Sequence, residues 1–169
     1  MTQGSFDDPR LTVVGLIVEV YGGLTTALDR VHAAHQLSGT DFGVLIRLAR
    51  SPDRRLRMSD LAEQTGLSTS GITRIVDRLC DRELISRKNC DGDRRGCYAS
   101  LTPAGSAHLT DTLPDLFIAI DQHVTYPLTT EQTDALVSAL HVIRAQVRPG
   151  ATAGADDSTT TNNTEPPTQ

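Results

Sequence analysis

Tryptophan is absent, aromatic residues make up 4% of the 169-residue chain, and there are three cysteines. The first two shortages leave an aliphatic core to drive folding. The cysteines, Cys80, Cys90 and Cys97, match no zinc spacing, and their odd number argues against a disulfide framework. By inspection no apolar run approaches the roughly 20 residues that span a bilayer. The opening MTQGSFDDPR is acidic and poor in apolar residues, unlike a signal peptide. A cytoplasmic protein with no membrane partner is expected. A Gly-rich phosphate loop, a nucleophile–base pair and a metal triad are also missing from the pattern, so neither enzyme chemistry nor a cofactor is expected.

What is present is a charge asymmetry. The chain carries a net charge of −5, yet the segment from Arg47 to Arg95 holds 12 Lys+Arg against 8 Asp+Glu, and the rest holds 4 against 13. A basic middle between acidic ends is the local footprint of an anionic partner, which the whole-chain charge conceals.

Periodicity divides the chain. Residues 1–9 read as a flexible start. A long helix is expected from about Leu11 to Gln36. A second follows, capped by Thr40 or Asp41, carrying Phe42, Val44, Leu45 and Leu48 and stopping before Ser51-Pro52. Arg54–Met58 reads as extended or loop. Ser59 is expected to cap the short helix SDLAEQTG, which Gly66 ends. Ser68 then caps a helix from about Thr69 to Glu83, whose stripe Ile72, Ile75, Val76, Leu79 and Cys80 suits one-sided packing. Two β-prone runs, 84–89 and 96–101, flank turn chemistry at Asp91-Gly92-Asp93. Pro103 opens a further helix in which Pro114 is expected to make a kink. A last helix from Thr129 or Thr130 carries Leu136, Ala139, Leu140 and Ile143 as a buried stripe. Residues 149–169 lack periodicity and read as a disordered tail.

Two helices joined through a glycine and followed by a hairpin make a winged helix-turn-helix. Opposite the apolar stripe of the second helix lie Thr69, Ser70, Thr73, Arg74, Asp77 and Arg78. In such motifs the start of the second helix meets base edges in the major groove, where hydroxyls donate or accept and arginine reads guanine with two hydrogen bonds.

The sequence from about Phe42 to Gly105 resembles the multiple-antibiotic-resistance regulator (MarR) family. LSTS at 67–70, TRIVDRL at 73–79, LISR at 84–87, DRR at 93–95 and LTPAG at 101–105 carry the resemblance. It implies a mainly α fold with a small β-wing, dimerising through its N- and C-terminal helices (about 10–36 and 103–148), with a DNA-binding lobe at about 40–102. It implies a homodimer on a palindromic double-stranded operator, most simply a repressor released by a small aromatic or phenolic effector. The DNA-contacting set is then Ser68, Thr69, Ser70, Thr73, Arg74 and Arg78 on the reading helix, with Arg87, Lys88, Arg94 and Arg95 on the wing and Arg57 before the lobe's first short helix. Arg94 is the residue for the minor groove. Arg95 is expected to pair with Asp93 or Asp77, which position the wing. The family's wing often reads Asp-x-Arg-Asp-x-Arg. Cys90 and Gly92 replace its first Asp and Arg, so a tip cation is missing.

Blander readings stand beside these. Arg78 suits an i, i+4 pair along its own helix, and Cys80 suits a buried thiol. Cys90 and Cys97 flank the wing turn and define a redox alternative. His32 and His35, with Asp41 or His108, define a metal alternative without a complete ligand set. By resemblance, Tyr21, His32, His35, Arg47 and His123 are the weakest assignments, to an effector pocket. A winged helix that binds another protein instead of DNA is the competing function.

Overall fold

A computed structural model describes residues 6–89 and 97–151. Helix α1 (Pro9–Ala34) is followed by α2 (Gly39–Ala49), strand β1 (Arg55–Arg57), α3 (Met58–Thr65), α4 (Thr69–Asp81), β2 (Ile85–Asn89), β3 (Cys97–Leu101), α5 (Pro103–Ile120) and α6 (Thr130–Val147). The strands form one antiparallel sheet in the order β1-β3-β2, with Leu56 opposite Ala99 and Arg87 opposite the same residue from the other side. This is the expected mainly helical fold with a β-wing.

The core belongs to the middle of the chain. Val44, Leu45 and Leu48 of α2, Leu61 of α3, Ile72, Val76 and Leu79 of α4, and Ala99 of β3 are fully buried. Helix α4 buries the stripe read from its sequence, with Cys80 half-buried at the edge. Burial pushes the Cys80 thiol up, away from the reactive thiolate.

Turn chemistry sets the angles. Helix α3 ends at Gly66 with φ 68°, and the Leu67 N–H reaches back to the Ala62 carbonyl at 3.1 Å. Helix α4 ends similarly, with Glu83 in the left-handed region at φ 58° and the Leu84 N–H on the Leu79 carbonyl at 3.0 Å. That turn aims Leu84 at the start of α5, where the LTPAG motif explains itself. The Thr102 hydroxyl donates to the Glu83 carbonyl at 2.7 Å and accepts the Gly105 N–H at 2.9 Å. A Cβ on Gly105 would lie 2.1 Å from the Leu84 carbonyl oxygen, so this crossing needs glycine.

Several local expectations are corrected. Ser38, not Thr40 or Asp41, caps α2, and Asp41 closes a capping box behind it. Helix α3 begins at Met58, before Ser59, and has no side-chain cap. Asp8 caps α1 within the stretch read as loose. Helix α5 carries Pro114 inside its length, and a π-turn at Asp121–Thr125 follows it, which sequence reasoning did not foresee. The stretch Arg54–Met58, expected to be extended or loop, is extended at Arg55–Arg57, which pairs with β3 as an edge strand.

The larger correction concerns apolar surface. Helix α1 is long and apolar enough, by length and composition, to cross a bilayer. Glycines, threonines and a tyrosine disguise the run, in which Glu19 is the one charged residue between positions 11 and 28. In the single chain α1 packs on α5 and α2, yet Val14 and Val20 remain 60% and 63% exposed. The stripe of α6 is likewise open: Leu136, Leu140 and Ile143 are exposed rather than buried. The tip of α6 is tied down, with Arg148 donating to the Glu63 carbonyl at 3.3 Å at the end of α3. A cation there suits the negative end of that helix.

Candidate nucleic-acid interface

Helix α4 is positioned by its buried face, and what it shows to solvent follows from the 3.6-residue repeat. Ser68, Thr69, Ser70, Arg74, Asp77 and Arg78 are exposed, and Thr73 is half-buried. Their hydrogen bonds separate structural members from available ones. The Ser68 hydroxyl accepts the Gly71 N–H at 3.1 Å, which makes it the cap that starts the helix. The Thr73 hydroxyl donates to the Thr69 carbonyl at 2.8 Å. The Ser70 hydroxyl shares a hydrogen bond with that of Ser68 at 3.1 Å. Thr69, Ser70 and Arg74 form the exposed group at the amino end, and Arg74 makes no ion pair among the described residues.

Arg78 does not pair along its own helix: its guanidinium grips Asp41 on α2, 37 positions away in sequence, with half of the side chain still exposed. Asp41 is 4% exposed. Burial alone would raise its carboxyl, but hydrogen bonds from Arg78 and from the Ser38 backbone and hydroxyl outweigh burial and hold it below the ordinary carboxylate value. A group depressed on folding stabilises fully above its unfolded pKa of about 3.9 and loses that contribution as pH falls through the folded value. Asp41→Ala should cost about 1–2 kcal/mol in urea denaturation at pH 7, since it removes the charge-assisted hydrogen bond from half-exposed Arg78 and the α2 capping box. The gap between variant and wild type should narrow towards pH 3.

The base of the wing is strapped to the reading helix. Arg87 of β2 lies 2.8 Å from Asp77 of α4, so Asp77 holds the wing through this arginine. The expected partner Arg95, with Asp93 and the tip residue Arg94, lies outside the described residues, as does Cys90. Lys88 sits on β2 opposite Tyr98. Cys97 is a free thiol opposite Asn89.

Sequence reasoning missed Tyr98. Arg55 and Arg57, on one face of β1, bracket its ring at 5.6 and 5.4 Å, and the Arg57 Nε–H donates to its hydroxyl at 2.8 Å. Arg57 is thus a braced cation beside the wing. The period-two spacing of the arginines was the available signal. Their partner, 41 residues away, gave none.

The five effector-pocket residues do not converge. Tyr21 and His32 line one cavity of about 630 Å³ between α1 and the start of α2. His123 lines a smaller one of about 340 Å³ with Val20 and Leu24. His35 is bonded to Asp115 of α5 at 2.8 Å, and its carbonyl takes His108 at 2.9 Å. Arg47 donates to the Gly43 carbonyl at 2.9 Å, with burial and then nearby Arg148 lowering its pKa. Among the described residues no group of His, Cys, Asp or Glu side chains is placed to hold a metal, and His35 and Asp41 are taken by Asp115 and Arg78.

A capped reading helix, a hairpin strapped to its flank and cations along one edge define a winged helix-turn-helix protein. Comparison with known proteins agrees. The MarR family model matches residues 35–96. The solved structure of Sco3205, a MarR family transcriptional regulator from Streptomyces coelicolor in complex with DNA, is 31% identical. It superposes with a TM-score of 0.75, over 82% of this chain and 88% of that one. The transcriptional regulator MhqR of Bacillus subtilis is 28% identical over 125 residues, 74% of this chain and 84% of that protein. The transcriptional repressor MprA of Escherichia coli K12 is 28% identical over 127 residues, 75% and 72% of the two chains. The chain belongs to the MarR family of transcriptional regulators.

Proposed function

We propose that two copies of this chain grip one palindromic duplex as a sequence-specific transcriptional repressor, and that a small molecule releases them. The observation that carries this reading is the outward group at the start of α4, where Thr69, Ser70 and Arg74 stand exposed opposite a buried face. Hydroxyls and a guanidinium there match base edges in a major groove. Arg94 takes the adjacent minor groove, whose narrow walls concentrate negative potential. Lys88, Arg57 and Arg95 lie along the phosphates, which position without specifying. Asp77 and Asp93 keep the wing at its angle.

The apolar faces of α1 and α6 support the homodimer. A second copy is the occupant assigned to them, in preference to a bilayer, because α1 is also packed across α2 and α5 of its own chain. The dimer must set its reading helices about 34 Å apart, one DNA turn. A ligand that binds a different spacing better shifts the population off the operator. Its place of work is the cytoplasm, and it acts by binding rather than by catalysis. MprA is named a repressor and Sco3205 was crystallised on DNA, which supports the same assignment here.

Titration of the DNA upstream of the chain's own coding sequence tests the roles. Arg74→Ala should lose about 1–3 kcal/mol of discrimination at particular base pairs. Arg94→Ala should weaken all sequences together and make the salt dependence shallower by about one unit of slope. If both variants match wild type in affinity, preference and salt slope, these roles are wrong.

A further inference from the structure

The reading helix is held at both ends. At its carboxyl end, the turn through Glu83 and Leu84 meets α5 at the Gly105 crossing. At its amino end, the holder is the tip of α6. Pro149 stops that helix, and Arg148 before it leaves helical backbone, at φ −146° and ψ 63°. Its side chain thereby reaches the end of α3, where Nη2 donates to the Glu63 carbonyl at 3.3 Å and lies 3.5 Å from that of Gln64. The guanidinium also fills the space beside Gly66, where a Cβ would lie 2.5 and 2.6 Å from its two terminal nitrogens. Gly150 packs on the Glu63 side chain with no room for a Cβ, and the Ala151 N–H closes a turn on the Arg148 carbonyl at 3.0 Å. Gly66 stands two residues before Ser68, the cap that starts α4.

We propose that Arg148 is a positioning residue for DNA recognition: it ties the amino end of the reading helix to α6 and so fixes the half-site spacing that a dimer accepts. Helix α4 has 13 residues and spans about 20 Å, so a tilt of about 5° about its carboxyl end moves the amino end by about 2 Å. Hydrogen bonds to base edges tolerate only about 0.5 Å. The Gly105 crossing alone is a pivot, and a second hold at the far end turns the pivot into a fixed angle. Arginine suits the place because its charge meets the negative end of α3 and its fork spans two carbonyls. Helix α6 also carries the open stripe Leu136, Leu140 and Ile143 assigned to the second copy. The contact between copies is thereby passed through Arg148 to the residues that meet bases. This role rests on the dimeric, DNA-binding reading above and adds the residue that sets its geometry.

Two measurements on the full-length chain test it. The first is pulsed electron resonance between nitroxides at Ser70→Cys on α4 and Asp134→Cys on α6, with Cys80→Ala, Cys90→Ala and Cys97→Ala. Excess unlabelled protein restricts the signal to pairs within one chain. Arg148→Ala should broaden the distance distribution by about 2 Å, the shift of a 20 Å lever. Arg148→Lys keeps the charge at the end of α3 and should recover part of the sharpness. The second titrates unlabelled protein against the operator and against duplexes with one base pair added or removed between half-sites, a step of about 3.4 Å. Arg148→Ala should shrink the affinity gap between native and altered spacings by about fivefold, the scale of one hydrogen bond. A merely stabilising role would lower all three affinities alike. Thermal midpoints confirm that each variant folds. A distance distribution unchanged by Arg148→Ala, or an equal loss on all three spacings, overturns the proposal. A wild type that binds no operator sinks the repressor reading, and the label distances then decide the role of Arg148 alone.

Discussion

Val14→Glu with Ile17→Glu on α1 is expected to give a monomer whose operator affinity is lower by about 10²–10⁴-fold, the scale lost when two linked contacts become one. Both residues are exposed in the single chain, at 60% and 42%, on the side of α1 that its packing on α2 and α5 leaves open. Burying two carboxylates in the face between copies carries a large desolvation cost. The DNA-binding lobe has its own core in Val44, Leu45, Leu48, Ile72 and Leu79, so it should stay folded. Sedimentation gives the oligomeric state, circular dichroism the fold, and anisotropy the affinity. A variant that stays dimeric would move the interface elsewhere. A monomer with undiminished affinity would remove the need for two protomers.

Gly105→Ala should cost about 3 kcal/mol of stability, at the upper end of what overpacking costs. The Cβ would meet a backbone carbonyl, Leu84 O, at 2.1 Å, and the Leu101 Cδ1 methyl at 2.8 Å. A carbonyl cannot rotate aside as a side chain can. The same carbonyl takes the Thr102 N–H at 3.2 Å, so any relief pulls on the junction of β2, β3 and α5. The variant should therefore weaken DNA binding beyond its loss of stability, by tilting the wing. Urea denaturation and operator titration at a temperature where the variant is fully folded would measure the two effects. A change under 1 kcal/mol would show that α5 has slack the geometry does not suggest.

These expectations also show where the sequence was legible. The stripe Ile72, Ile75, Val76, Leu79 and the caps at Ser68 and Gly66 are local, and a helix repeat with a hydroxyl before it and a glycine after it has one physical solution. The two strands of the wing followed from two β-prone runs, which pair antiparallel. What escaped was long-range pairing. Arg78 with Asp41, Tyr98 between Arg55 and Arg57, and His35 with Asp115 join residues from 37 to 80 positions apart, and no local pattern announces such a partner. The stripe of α6 misled for a related reason. Amphipathic spacing says that a face is covered but not by which chain, and in α6 the cover does not come from its own. The effector residues were placed by resemblance alone. Of the five, Tyr21 and His32 share a cavity because they lie on one stretch of α1 facing the turn that starts α2.

The most direct measurement is anisotropy of the dimer on a labelled duplex from its own upstream region, against a scrambled duplex of equal length, over about 50–200 mM salt, a range across which phosphate contacts lose about 10³–10⁵ in affinity. The prediction is two protomers per site, at least about 10³-fold preference for the native sequence at physiological salt, and a straight fall of log affinity with log salt. Equal affinity for the two duplexes, with or without salt dependence, would contradict a reading helix that recognises bases.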